Sequence, residues 1–71
     1  MELSTTNIFK GKVKEIKEGV IIAKIQIDIG NGLFMTHTVM IDDVVNLAIR
    51  EGDEVHALVD ADSIILVKDL S

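Results

Sequence analysis

Eleven isoleucines and eight valines in a chain of 71 residues, many of them at alternate positions, constrain the fold more than any other feature. β-Branched side chains are stiff at χ1 and pack well on a pleated surface, so this spacing favours strands over helices. Phe9, Gly11 and Val13 alternate with Lys10, Lys12 and Lys14, which predicts a first strand over 8–17. Glu18-Gly19 is a turn signal. From Val20, the pattern Val20, Ile22, Ile25, Ile27, Ile29 with polar Lys24, Gln26 and Asp28 between predicts a second strand. Its phase slips between Ile22 and Ile25, as at a bulge or where both faces are buried. Gly30-Asn31-Gly32 tolerates positive φ and predicts a hairpin into a third strand over 33–41. Asp42 or Asp43 is a candidate cap for a short helix over 44–49, with Val44, Leu47 and Ala48 on one side. After the turn Arg50-Glu51-Gly52-Asp53, a fourth strand is expected over 54–59 and a fifth over 64–68. The tight polar connection Asp60-Ala61-Asp62-Ser63 joins them. Five strands with one short helix between the third and fourth define an all-β class. The order is that of a small, five-stranded OB-like Greek-key barrel, in one domain spanning 1–71.

A domain this short buries only about 60% of its unfolded surface and usually needs disulfides, a metal or self-association. There is no cysteine, so no disulfide and no thiolate metal site can form. Apolar residues also occupy both sides of several strands: Ile21 beside Val20 and Ile22, and Phe34 and Met40 opposite Met35, Val39 and Ile41. A small barrel cannot hide both sets, and exposed apolar rows mark contact surfaces. An obligate homo-oligomer is expected, with part of the core between subunits.

Seven basic residues stand against twelve acidic ones, a formal net charge of −5. That balance disfavours nucleic acid, whose phosphates call for Lys and Arg. With Phe9 and Phe34 the only aromatics, stacking platforms for bases are scarce as well. Apolar runs reach only four residues, far below the roughly 20 of a membrane span. No apolar stretch follows a basic one near Met1, so no secretory signal is read and a cytoplasmic location is expected. Five of the seven basic residues (Lys10, Lys12, Lys14, Lys17 and Lys24) fall within 10–24. On a strand the first three line one face, either as a solvated surface that discourages edge pairing or as an attractor of anions.

No catalytic constellation is present. Ser4, Ser63 and Ser71 lie in no nucleophile-elbow or phosphate-loop pattern. His37 and His56 alternate with apolar neighbours as strand-face residues rather than as a base or metal ligand. Capping accounts for Asp42-Asp43 and turn solvation for Asp53-Glu54. Asp60 and Asp62 are not so easily assigned. The chain is not expected to be an enzyme, because no nucleophile–base pair is evident.

The opening Ser4-Thr5-Thr6-Asn7-Ile8-Phe9-Lys10-Gly11-Lys12-Val13 resembles the pattern S-A-R-N-x-[L/F]-x-G-x-V. That pattern opens the molybdenum-pterin-binding proteins, or molbindins, and the related TOBE/MOP-type domains of molybdate transporters and regulators. The resemblance continues through Val20, the glycine hairpin, the helix segment and Arg50-Glu51-Gly52-Asp53-Glu54-Val55. It ends in Ala57-Leu58-Val59-Asp60-Ala61-Asp62-Ser63-Ile64, similar to A-L-I-K-A-[T/S]-S-V. It implies an OB-like barrel assembled as a hexamer, a trimer of dimers, with molybdate or tungstate held at subunit interfaces and no other cofactor. These ligands are tetrahedral dianions that only accept hydrogen bonds, so they call for convergent N–H, hydroxyl and cationic donors. The positions carried over are Ser4, Thr5, Thr6, Asn7, Val20 (through its backbone), Asp60, Ala61, Asp62 and Ser63. The implied role is intracellular oxyanion storage or homeostasis.

Three departures bear on that role. Thr6 stands at the family's arginine position and Asp60 at its lysine position, while Asp62 replaces a usual hydroxyl. Two unit charges 4 Å apart interact by about 4 kcal/mol at an effective dielectric of 20, so a reversed contact charge weakens an anion site strongly. The alternatives are a hard-cation site built from Asp60 and Asp62 of several subunits, or a structural OB-like oligomer that has lost binding.

Overall fold

The computed structural model describes residues 7–68. Four antiparallel strands form one sheet: β1 (Asn7–Glu18), β2 (Ile22–Gly30), β3 (Leu33–Met40) and β4 (Glu54–Val59), with the helix α1 (Ile41–Leu47) between the last two. The sheet order is β3-β2-β1-β4. Three consecutive strands followed by a fourth that returns beside the first is a Greek key. β1 is therefore the shared strand, paired with β2 along one side and with β4 along the other.

One face of the curled sheet carries the core. Val13, Ala23, Ile25 and Ile27 are buried there, and Val44 of α1 packs onto them. The phase slip within β2 has a simple origin: Ala23, rather than Ile22, is the inward residue, so Ala23, Ile25 and Ile27 keep strict alternation and Val20 and Ile22 point outward. The bulge itself lies across the ladder on β1. Val13 pairs with Ile27 and Glu15 with Gln26, leaving Lys14 as the extra residue. The turn after α1 clasps this irregular stretch. Val13 N–H donates to the Asp53 carbonyl at 2.8 Å, Gly52 N–H to the Val13 carbonyl at 2.7 Å, and Ile16 N–H to the Glu51 carboxylate at 3.0 Å. Arg50-Glu51-Gly52-Asp53 thus supplies the partners that the bulge removes.

The hairpin between β2 and β3 forms where expected, with φ of 94°, 57° and 73° at Gly30, Asn31 and Gly32. The helix differs in detail. It begins at Ile41, directly after Met40, with no side-chain cap, and Asp42 and Asp43 occupy its first turn. There their charges favour the exposed N–H end of the helix rather than capping it. Of the three residues expected on its inner side, Val44 is buried, whereas Leu47 and Ala48 are exposed. Ala48 ends the helix in the left-handed region at φ 53°.

The fifth strand is not formed. After β4 the chain makes a single 3₁₀ turn, Ala61–Ser63, in which Ser63 N–H donates to Asp60 O and Ile64 N–H to Ala61 O. Residues 64–67 then run exposed and join no ladder. The run Ile64-Ile65-Leu66-Val67 has strand propensity, but a strand also needs a neighbouring edge, and within one chain the 3₁₀ turn takes this segment out of the sheet. The sheet accordingly stays open. A cleft of about 250 Å³ lies between β3 and β4, lined by Val13, Ile25, Ile27, Met35, Val55 and Ala57 among others.

Candidate functional site

β1 and β4 run antiparallel with Asn7 opposite Val59, so the start of the first strand lies beside the end of the fourth. That register brings Asn7 next to the turn formed by Asp60, Ala61, Asp62 and Ser63, joining two of the segments singled out in the sequence. Asp60 is extended (φ −65°, ψ 141°) and makes no side-chain cap bond. The first N–H groups of a helical turn have no partner inside it, which leaves the Ala61 and Asp62 amides as donors at this corner. The Ser63 hydroxyl is a third donor on the same turn. Asp60 and Asp62 place two exposed carboxylates among them. The corner therefore offers backbone and hydroxyl donors together with opposing negative charge.

Val20 lies elsewhere. It is 96% exposed in the turn between β1 and β2, at the far end of the twelve-residue β1. At about 3.3 Å per residue that strand spans up to roughly 36 Å. Within one chain Val20 and the 60–63 turn thus lie at opposite ends of β1. Ser4, Thr5 and Thr6 lie outside the described residues. His37 and His56 are exposed strand residues, and among the described residues no group of three or more His, Asp or Glu is placed to hold a metal ion. Among those residues, too, no helix is long and apolar enough to cross a membrane.

The outer face of the sheet holds a feature that the sequence pattern alone did not single out. Lys17 and Lys24 are direct cross-strand partners, and Lys24 is followed on β3 by Thr38. The charge run at 10–24 was visible in the sequence, but only the register after the Lys14 bulge sets these two ammonium groups side by side.

A Greek-key, OB-like β domain with an open edge and a donor-bearing turn beside its first strand is the class that these elements define. Residues 3–66 match the TOBE domain. The chain is 33% identical over 67 residues to molybdenum-pterin-binding protein 1 of Clostridium pasteurianum, covering 94% of this chain and 98% of that protein. Among solved structures it is similar to a molybdate-binding protein from Sporomusa ovata, with a TM-score of 0.88 and 37% identity over 96% of this chain and 100% of the other. It is also similar to the cytoplasmic molybdate-binding protein ModG solved with molybdate bound, with a TM-score of 0.79 and 36% identity over 86% of this chain and 43% of that one. This chain belongs to the TOBE-domain family of molybdenum-pterin-binding proteins.

Proposed function

We propose that this protein binds molybdate, and tungstate as its close chemical analogue, in a cytoplasmic homo-oligomer that stores the oxyanion or buffers its concentration. The observation that carries this reading is the whole-chain likeness to the Sporomusa ovata molybdate-binding protein at 37% identity. The cytoplasmic location rests on the description of ModG. The site is drawn from Ser4, Thr5, Thr6 and Asn7 at one subunit's N-terminus, the turn Asp60, Ala61, Asp62 and Ser63, and the backbone at Val20. A tetrahedral dianion takes hydrogen bonds at every oxygen and gives none, so amides and hydroxyls suit it. The separation of Val20 from the 60–63 turn supports sites completed between copies.

Self-association is supported by what one chain leaves uncovered. Ile65, Leu66 and Val67 are exposed, Leu66 to 91%, as are Val20 and Ile21. The open edges of β3 and β4 and the apolar cleft between them need covering too. A hexamer built as a trimer of dimers is the arrangement proposed. The role is binding rather than catalysis, in keeping with relatives named for what they bind.

Asp60 and Asp62 favour a second reading, in which the carboxylates of several subunits converge to take a hard cation instead. Calorimetric titration with molybdate, tungstate, sulfate and Ca²⁺ separates the two. Saturable molybdate binding that strengthens in Asp60→Lys supports the oxyanion reading. Calcium binding that is lost in the same variant supports the cation site. Silence with every ion leaves an assembly module without a ligand.

A further inference from the structure

The lysines of β1 and β2 share the outer face, yet their surroundings differ. Lys12 lies between two carboxylates in register, Asp28 on β2 and Glu54 on β4. Lys14 stands over the ring of Phe34 at 4.5 Å, a cation–π contact. Lys10 lies opposite His56. Lys17 and Lys24 face each other instead, an arrangement that costs stability because cross-strand Cβ atoms lie only about 5 Å apart. Two carboxylates lie near them, Glu15 at 3.6 Å from Lys17 and Glu18, which lines a hollow with both lysines, and Lys24 has no ion pair among the described residues.

Around this pair the surface is concave, with side-chain donors from Gln26 and Thr36 on one side and a carboxylate, Glu15 or Glu18, in each hollow. One hollow of about 140 Å³ is lined by Glu15, Lys17, Lys24, Gln26 and Thr36. A second, of about 270 Å³, is lined by Lys17, Glu18, Gly19, Ile22 and Lys24. The two lysines therefore form the wall common to both. At about 30 Å³ per water, the smaller hollow has room for a few waters or one compact ion. Thr38, in register with Lys24, adds a hydroxyl to the same row.

We infer that Lys17 and Lys24 form an anion site on the outer face of the β1–β2 hairpin, whose ligand is a tetrahedral oxyanion dianion. The inference rests on the oxyanion-binding function proposed above and assigns part of that binding to a place other than the 60–63 turn. Glu15 pairs with Lys17 and Glu18 lines the neighbouring hollow, so Lys24 is the ammonium group without an ion pair among the described residues, and an oxyanion bridging the two lysines accepts from it, from the Gln26 amide and from the threonine hydroxyls.

The test uses the full-length protein, with sodium molybdate as probe, in low-salt buffer by calorimetry. Lys24→Gln is expected to weaken binding about 3- to 10-fold and Lys17→Gln/Lys24→Gln more than tenfold, in line with contacts near the surface. Lys10→Gln removes one equal charge from the same face and is expected to change affinity less than twofold. The double variant without ligand should resist urea at least as well as the parent, because a repulsion is gone. A loss of binding is then not a loss of fold, and if the double variant does not fold, Lys24→Gln alone decides. Affinity within twofold of the parent in both lysine variants overturns the assignment and leaves the proposed function standing. A parent that binds no molybdate overturns both.

Discussion

Gly11 offers a sharp test of how closely β1 and β2 approach. A methyl group built at Gly11 lies 2.5 Å from Ile27 Cγ2, 2.8 Å from the Asp28 carbonyl oxygen and 3.2 Å from Ile29 Cγ2. Ile27 is itself buried among Val13, Ile25 and Val44, so its methyl has little room to retreat. The Asp28 oxygen is backbone, and moving it disturbs the β1–β2 ladder. Overpacking of this kind costs about 1–3 kcal/mol. The lost glycine entropy of the unfolded chain returns about 0.4–1 kcal/mol. Gly11→Ala is therefore expected to destabilise by roughly 1–2 kcal/mol. For a small domain with a urea m-value near 1 kcal/mol per molar, that lowers the urea midpoint by about 1–2 M. The chain has neither Trp nor Tyr, so the assay is far-ultraviolet circular dichroism, with both proteins at one concentration. An unchanged or raised midpoint would refute the close packing of the two strands at this point.

Two further substitutions probe the helix end and the uncovered C-terminal segment. Ala48 holds φ 53°, where glycine suffers no Cβ penalty, so Ala48→Gly should stabilise by up to about 1 kcal/mol in the same urea assay; a fall would contradict the left-handed helix end. Leu66→Ala removes a side chain that is almost wholly exposed in one chain. If a neighbouring copy covers it, the variant should show a lower sedimentation mass at dilute concentration and a lower midpoint, whereas no change in either would remove this segment from the interface.

Much of the fold was legible because its signals are local. Alternation placed β1 through β4, and the Gly30-Asn31-Gly32 turn fixed the β2–β3 hairpin within a residue or so. That the fifth strand expected over 64–68 does not form was not legible, because strand propensity at Ile64 to Val67 says nothing about whether an edge is within reach. The disturbed phase in β2 suggested a bulge or burial on both faces; against β1 the extra residue is Lys14 on the partner strand, while against β3 the register of β2 shifts between Asp28 and Gly30. Nor did composition reveal that Glu51 and Asp53 repair the broken ladder, since that depends on contacts 35 residues or more apart in sequence. The candidate site was partly readable. The family pattern led to the 60–63 turn, and the Asn7–Val59 register sets it beside β1. Which lysines stand opposite carboxylates and which face each other depends on register, so the Lys17–Lys24 pair emerged only with the sheet in hand.

The central claim is that this chain binds a tetrahedral oxyanion despite the carboxylate at Asp60, and one calorimetric comparison tests it directly. In water, unit charges 4 Å apart interact by about 1 kcal/mol. Reversing one exposed charge against a dianion changes four such unit products, and salt screening at about 0.15 M roughly halves the sum. The expected difference is about 2 kcal/mol, or some 30-fold in affinity. The account predicts saturable molybdate binding by the parent protein and binding about 10- to 100-fold tighter by Asp60→Lys. A parent that gives no heat with molybdate or tungstate, or a variant no tighter than the parent, would contradict it.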